Sequence, residues 1–357
     1  MTDPHHVAAT LDNSRHELAD AITDRHYQLH PELVERFGAA GRSHCRQDAE
    51  YHLSYLSAAV AAGTPAFFTE YVGWCKTMLG ARRIAADDLA ENLRILREVL
   101  ERSLPPDMCT LAVSPIHAGL AELGRVSAAP SSLLAKDGGP LAQLAHDYLS
   151  ALLRTERHLA SNLILAAANA GTPIRDLYLR VFQPSQHEVG RLWQMNQISV
   201  AQEHYCTAAT QLIMSQLYPY IFSGERRSRT LAAACVTGDL HEIGARMVSD
   251  LLEMEGWDTI YLGANVPASG IIQLMREREI HVLALSATMT FHVPAVEQFI
   301  ADIRDAQGVC SAKIMVGGYP FNIAPELWRR IGADAWAPDA AKAITVADRL
   351  LAMAAPS

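Results

Sequence analysis

The stretch Thr237-Gly-Asp-Leu-His-Glu-Ile-Gly244 sets an aspartate two residues before a histidine and a glycine three residues after it, directly behind the apolar run LAAACV. A histidine on a strand-to-helix turn can project one ring nitrogen outward to a metal. An aspartate two positions earlier can accept the proton of the other nitrogen, which fixes the tautomer and makes the imidazole a better donor. Gly244 leaves space beside the strand for a long ligand appendage. Two further groupings follow later apolar runs, Ser286-Ala-Thr288 and Gly317-Gly318. Taken alone, Asp239 and His241 read equally well as capping and loop residues.

A second constellation lies upstream, where Trp193 precedes Glu203 and His204 as W-x9-E-H. Ser199 followed by Gln202 is a capping box, so Trp193 should close one helix, Asn196 to Ile198 should form the turn, and Glu203 and His204 should lie in the first turn of the next helix. An indole face can bury an aromatic base and a carboxylate can accept from vicinal hydroxyls. Individually, Trp193 also reads as a corner anchor and Glu203 as a favourable charge at a helix start. The third constellation is HCRQDAEYHLSYL, in which Asp48, His52 and Tyr55 fall at i, i+4 and i+7 of a helix, with Cys45 and Arg46 about one turn earlier. Trp74, Cys75, Lys76, Arg82 and Arg83 follow. Such a stripe suits a tetrapyrrole, with ring or carboxylate groups for pyrrole nitrogens and arginines for propionates. It also suits a haem ligated by His52, or plain helix packing.

The elements that must position these groups can be read from periodicity. Residues 1–125 are helical in pattern, with apolar residues at three- and four-residue steps in HLSYLSAAVAAG and LAENLRILREVLERSL. The Ala-, Ser-, Pro- and Gly-rich segment 126–140 reads as a linker. A second helical block, a four-helix-type cap, is expected over 141–225. From 226 to 357 five short apolar runs (LAAACV, TIYLGA, VLALSA, KIMVGG, DAWAP) alternate with amphipathic segments, which predicts a parallel, doubly wound α/β sheet. Ligands of such sheets sit at the carboxyl ends of the strands, where all three groupings of the last domain fall.

Composition narrows the chemistry. The 357 residues are half apolar and carry a formal charge of -9, from 39 acidic against 30 basic side chains, so no general field draws in nucleic acid or an acidic membrane surface. The six cysteines lie apart without a CxxC pair, which argues against a disulfide framework or zinc ribbon and for a reducing cytoplasm. No export signal and no apolar run of membrane-spanning length is expected.

The D-x-H-x-x-G, S-x-T and G-G elements, with residues 245–285 between the first two and 289–316 between the last two, resemble the cobalamin-binding fold of methionine synthase, the base-off mutases and the CarH light sensors. That resemblance implies a Rossmann-like (flavodoxin-like) domain in which His241 replaces dimethylbenzimidazole as the lower ligand of cobalt. The nucleotide tail would enter a slot lined by Gly244, Ser286, Thr288, Gly317 and Gly318. Thr288 stands where that family usually has Leu. The W-x9-E-H pattern resembles the CarH sensors, in which the tryptophan packs on the adenosyl group and the glutamate bonds its ribose. Gln194 departs from them by replacing the histidine that captures cobalt after photolysis, and His187 and His204 are nearby substitutes.

With a different helical domain in place of a DNA-reading one, the architecture resembles the photocobilins, sensors that hold biliverdin beside B12. The resemblance implies a non-enzymatic photoreceptor with adenosylcobalamin and biliverdin, the latter near Arg46, Asp48, His52 and Tyr55. Its output would be a light-dependent homo-oligomer and an unknown downstream signalling partner, without nucleic acid or membrane. The alternative is a corrinoid carrier subunit of a methyltransferase or mutase.

Overall fold

The computed structural model describes residues 2–125, 130–132, 134, 141–221, 226–308 and 311–352. Most of the expected linker, 126–140, and Cys310 lie outside the described residues. The chain divides into two compact bodies. One comprises Met1–Ala128 with Met289–Ala295 and Asn322–Leu327, and the other Ala129–Thr288, Val296–Phe321 and Trp328–Ser357.

The first body is built on α1 (Pro4–Asn13), α2 (Arg15–Leu29), α3 (Leu33–Ala61), α4 (Ala66–Ala81), α5 (Ala86–Ser103) and α6 (Pro106–Leu123). Its helix ends follow local chemistry. Asp3 caps α1 by accepting from the His5 N–H at 3.0 Å, and Asp88 accepts from the Ala85 N–H at the start of α5 while receiving a two-pronged bond from Arg36. Gly38 breaks α3 with a positive φ of 63°, a conformation a side chain would resist. The inner faces carry Leu53, Leu56, Phe67, Phe68, Leu93 and Leu96, all fully buried.

The second body joins a helical block to a sheet. The block runs through α7 (Ala142–Leu153), α8 (Arg157–Asn169), α9 (Ile174–Leu177), a π turn at Tyr178–Phe182, α10 (Gln183–Gln194), α11 (Val200–Gln216) and α12 (Tyr218–Ile221). The expected capping box forms at α11, where Ser199 Oγ accepts from the Gln202 N–H at 3.2 Å and Gln202 Oε1 accepts from the Ser199 N–H at 3.0 Å. The sheet follows as β1 (Thr230–Val236), α13 (Ile243–Met254), β2 (Asp258–Val266), α14 (Ala268–Glu277), β3 (Val282–Ser286), α15 (Val293–Asp305), β4 (Lys313–Gly317), α16 (Tyr319–Ile323), α17 (Leu327–Arg330), β5 (Ala335–Ala337) and α18 (Ala340–Ala352).

All strand pairs are parallel, in the order β2-β1-β3-β4-β5. This is the doubly wound architecture expected from the five apolar runs. The chain winds outward from β1 to β2 and then crosses to β3, so the order reverses at the β1/β3 boundary and opens a crevice at the carboxyl ends there. Register aligns the motif residues along that edge, with Cys235 opposite Ser286 and Ser286 opposite Gly317. Helical block and sheet share one apolar core, in which Tyr148, Phe182, Ile213 and Leu217 join Leu231, Leu252 and Trp257.

Candidate functional site

The loop after β1 is tied down before it reaches His241. Gly238, at φ 88°, donates its N–H to Asn265 Oδ1 at 2.8 Å, and the Asn265 N–H returns a bond to the Asp239 carbonyl at 3.0 Å. Asn265 itself sits at φ 54°, a conformation asparagine tolerates better than most residues. The end of β2 therefore braces the turn. The Gly-Ala-Asn sequence closing the second apolar run is the signal in the sequence for this contact.

Asp239 is completely buried, while the His241 side chain is 60% exposed. Asp239 Oδ1 accepts from the His241 N–H at 3.0 Å and meets His241 Nδ1 at 2.9 Å, and Oδ2 accepts from the Thr288 N–H at 2.6 Å. Burial pushes the carboxyl upward, but the bonds from His241 and Thr288 outweigh it and hold Asp239 below the usual carboxylate range. The bond to Asp239 raises His241 against an opposing desolvation, and the negative charge of Glu203 adds to the rise. With the proton placed on Nδ1 by this pairing, Nε2 is the ring nitrogen left to donate to a metal.

The neighbouring small residues leave room. A side chain begun at Gly244 would meet nothing within 4 Å, and Gly244 is exposed. Gly318 is constrained in the opposite sense: at φ 106°, an added Cβ would lie 2.0 Å from the Ala287 carbonyl oxygen, so the β3 and β4 ends cross too closely for any other residue. Ser286, Thr288 and Gly317 lie half-buried along the same rim. A fixed imidazole with an outward lone pair, beside open space along the first turn of α13, fits a corrin whose axial base has been displaced and whose tail needs a slot.

On the helical block, α10 ends at Gln194 directly after Trp193, Asn196 turns the chain at φ 55°, and α11 opens with Glu203 and His204. Glu203 Oε2 pairs with His204 Nδ1 at 2.6 Å and Oε1 accepts from Thr207 Oγ1 at 3.1 Å. Trp193 is half-buried, and His187 is exposed on α10.

In the first body the singled-out residues separate. Asp48, His52 and Tyr55 share the face of α3 that meets α4. His52 is buried with Nδ1 2.7 Å from the Tyr71 hydroxyl, and Tyr55 stacks on Tyr71 at 3.7 Å between ring centroids. Burial pushes His52 down to about 4 and Asp48 up to about 6. Arg46 instead pairs with Asp20 and Glu50, at 2.5 and 2.6 Å. Lys76 Nζ donates to the Leu123 and Arg125 carbonyls, and Arg82 to that of Met78. Burial raises both the Cys45 and Cys75 thiols, the latter to about 12, so both are protonated at neutral pH and ill-suited to nucleophilic attachment. Among the described residues, no group of three or more His, Cys, Asp or Glu is arranged to hold a metal ion unaided, and no helix is long and apolar enough to cross a membrane.

A parallel sheet whose switch point carries an exposed, aspartate-backed histidine, packed with a helical block, defines the class of cofactor-binding α/β proteins. Residues 229–345 match the family model described as B12 binding domain, and residues 144–218 match a second model of the same description. Dimethylamine corrinoid protein 3 of Methanosarcina mazei is 32% identical over 131 residues, which are 36% of this chain and 77% of that protein. Dimethylamine corrinoid protein 3 of Methanosarcina acetivorans is 24% identical over 210 residues, 58% of this chain and 97% of that protein. The monomethylamine corrinoid protein of Methanosarcina barkeri shares the fold with a TM-score of 0.52 and 24% identity, over 58% of this chain and 99% of that one. The chain belongs to the B12-binding corrinoid protein family, and its cofactor is a corrinoid.

Proposed function

We propose that this chain is a non-enzymatic corrinoid protein that holds cobalamin base-off at the carboxyl edge of its sheet, with His241 Nε2 on the lower face of cobalt, and carries it as a subunit serving a methyltransferase or mutase. The observation that carries the reading is the exposed His241 ring fixed by the fully buried Asp239 at 2.9 Å. The methylamine corrinoid relatives support the carrier role. When bound, the corrinoid supplies a labile cobalt-carbon bond. The chain's own residues bind and orient: Asp239 keeps the proton on Nδ1, Gly244 leaves the tail its slot, and Ser286, Thr288, Gly317 and Gly318 form the rim. Trp193, Glu203 and His204 would cover the upper face from the helical block.

A second reading, an adenosylcobalamin photoreceptor, is favoured by one observation. Trp193 near the end of α10 and Glu203 in the first turn of α11 flank a single helix-helix corner. On that reading the adenosyl group packs against Trp193, light changes subunit association, and biliverdin occupies the Asp48, His52 and Tyr55 face of the first body. Reconstitution in darkness with methylcobalamin and with adenosylcobalamin, then illumination, separates the two. Retained methylcobalamin with no light-dependent change in molecular size supports the carrier. Selective uptake of adenosylcobalamin with a light-dependent size change supports the sensor. Loss of cobalamin uptake in neither His241→Ala nor Asp239→Ala would sink both. A second set of reconstitutions with biliverdin and with haem tests the first body.

A further inference from the structure

Glu242 follows His241 in the chain and occupies the N-cap position of α13 without a side-chain cap bond, and its two carboxylate oxygens face different parts of the second body. Oε2 accepts from the Tyr261 hydroxyl of β2 at 2.8 Å, and Oε1 accepts from Gln211 Nε2 of α11 at 2.7 Å. Gly263 makes room for this arrangement: at φ 82°, an added Cβ would approach Glu242 Oε2 to 3.0 Å. Gln211 is gripped a second time one turn along α13, where Arg246 Nη1 donates to its carbonyl at 2.9 Å and Arg246 Nη2 donates to Ser215 Oγ at 2.8 Å. One turn of α11 is thus clasped by the first turns of α13.

We infer that Glu242 is a positioning residue that ties the loop bearing the lower ligand to the helical block, so that seating of α11 and placement of His241 form one equilibrium. The inference rests on the reading of His241 as the cobalt ligand. The separate anchor of the helical block on α13, where Tyr178 donates to the buried Asp250 at 2.8 Å, lies two turns further on and does not touch the loop. The Gln211–Glu242 bond joins the loop to α11 directly. Glu203 stands two turns before Gln211 on the same helix, roughly 12 Å along its axis. A displacement of α11 from the upper side of the cofactor therefore removes the Gln211 partner and leaves Glu242, next to His241, without one of its two carboxylate bonds. The coupling runs in both directions, because linkage is reciprocal.

The test compares the full-length wild type with Gln211→Leu, Glu242→Ala and the conservative Glu242→Gln. Without cofactor, amide hydrogen exchange is followed in α11 and in the loop 237–242. With cobalamin, the absorption spectrum gives the fraction with histidine bound to cobalt. Gln211→Leu is expected to speed exchange in the distant loop as well as in α11. It should also shift the bound population about tenfold toward the histidine-free form, the effect of losing one charge-assisted hydrogen bond. Glu242→Ala should do the same, the double variant should add little, and Glu242→Gln, whose amide can still bridge Tyr261 and Gln211, should restore most of the wild-type behaviour. Faster exchange confined to α11, with the loop and spectrum as in wild type, would reduce the contact to local packing and overturn the coupling. If the wild type shows no histidine-bound spectrum, the reading of His241 fails instead, and loop exchange in the cofactor-free protein still decides the coupling.

Discussion

Asparagine in place of Asp239 removes one charge and nearly no volume, and the geometry fixes what must follow. Asp239 accepts three bonds, from the His241 N–H, from His241 Nδ1 and from the Thr288 N–H at 2.6 Å. An amide has one acceptor oxygen. If that oxygen turns to His241, the NH2 group faces the Thr288 N–H. If it turns to Thr288, the NH2 group faces His241 and favours the tautomer whose proton sits on Nε2, the atom that would face cobalt under the proposed ligation. Either orientation leaves a buried donor without a partner, at about 1–3 kcal/mol. For a body of this size that lowers the thermal midpoint by roughly 2–12 °C. Loss of the carboxylate behind a ligating histidine should further weaken cofactor binding by roughly 10–100-fold. Thermal unfolding of the cofactor-free protein and a cobalamin titration followed by absorbance measure the two effects. The folded-state pKa of Asp239 is depressed, so its contribution is present above the ordinary carboxylate value and is lost as pH falls through the lower folded value. The stability gap between wild type and Asp239→Asn should therefore close in strong acid. An Asp239→Asn protein with the wild-type midpoint, affinity and spectrum would refute the assignment of Asp239 as the support of His241.

Two glycines should respond oppositely to substitution. Gly318→Ala forces a Cβ onto the Ala287 carbonyl at a positive φ and is expected to cost at least about 3 kcal/mol in urea denaturation. Gly244→Leu meets open space and should leave the cofactor-free stability within about 1 kcal/mol while abolishing cobalamin uptake by gel filtration. His52, buried and held neutral with its pKa near 4 against an ordinary 6.5, contributes stability that is present above 6.5 and lost as pH falls toward 4. Asp48, raised to about 6, acts in the opposite sense over the same range, so the comparison is made with His52→Gln, which keeps Asp48. Wild type should lose roughly 3 kcal/mol relative to that variant between pH 6.5 and 4 in denaturant titrations, and parallel profiles would show that His52 is not held neutral.

The sheet and its cofactor edge were legible because a central parallel strand is buried on both faces and so reads as an unbroken apolar run, as β1 does from Leu231 to Val236. Once the strands are placed, winding order alone puts Asp239, Ser286 and Gly317 on one edge. The capping box at Ser199 was legible for the same reason, being chemistry within four residues. The clasp around Glu242 was not, since Gln211 and Tyr261 lie 31 and 19 residues away and only packing brings them together. The π turn at Tyr178–Phe182 carries no proline or glycine to announce it. In the first body helical spacing correctly set Asp48, His52 and Tyr55 on one face. Arg46 departs from the stripe expected of it, because carboxylates at Asp20 and Glu50 claim its guanidinium.

His241 stands between two carboxylates with different duties. Asp239 is fully buried in the loop after β1 and bonds main-chain N–H groups from that loop and from just past the end of β3, so it sets the tautomer from a position closed to solvent. Glu242 reaches the other way, to α11. The bond from β3 also explains why Thr288 is acceptable where the resembling family carries leucine. What Asp239 requires from that position is the backbone N–H, which every residue but proline supplies. Thr288→Leu should therefore preserve both the stability of the cofactor-free protein and the spectrum of bound cobalamin. A large loss of either would mean that the threonine side chain, and not the main chain, supports the site.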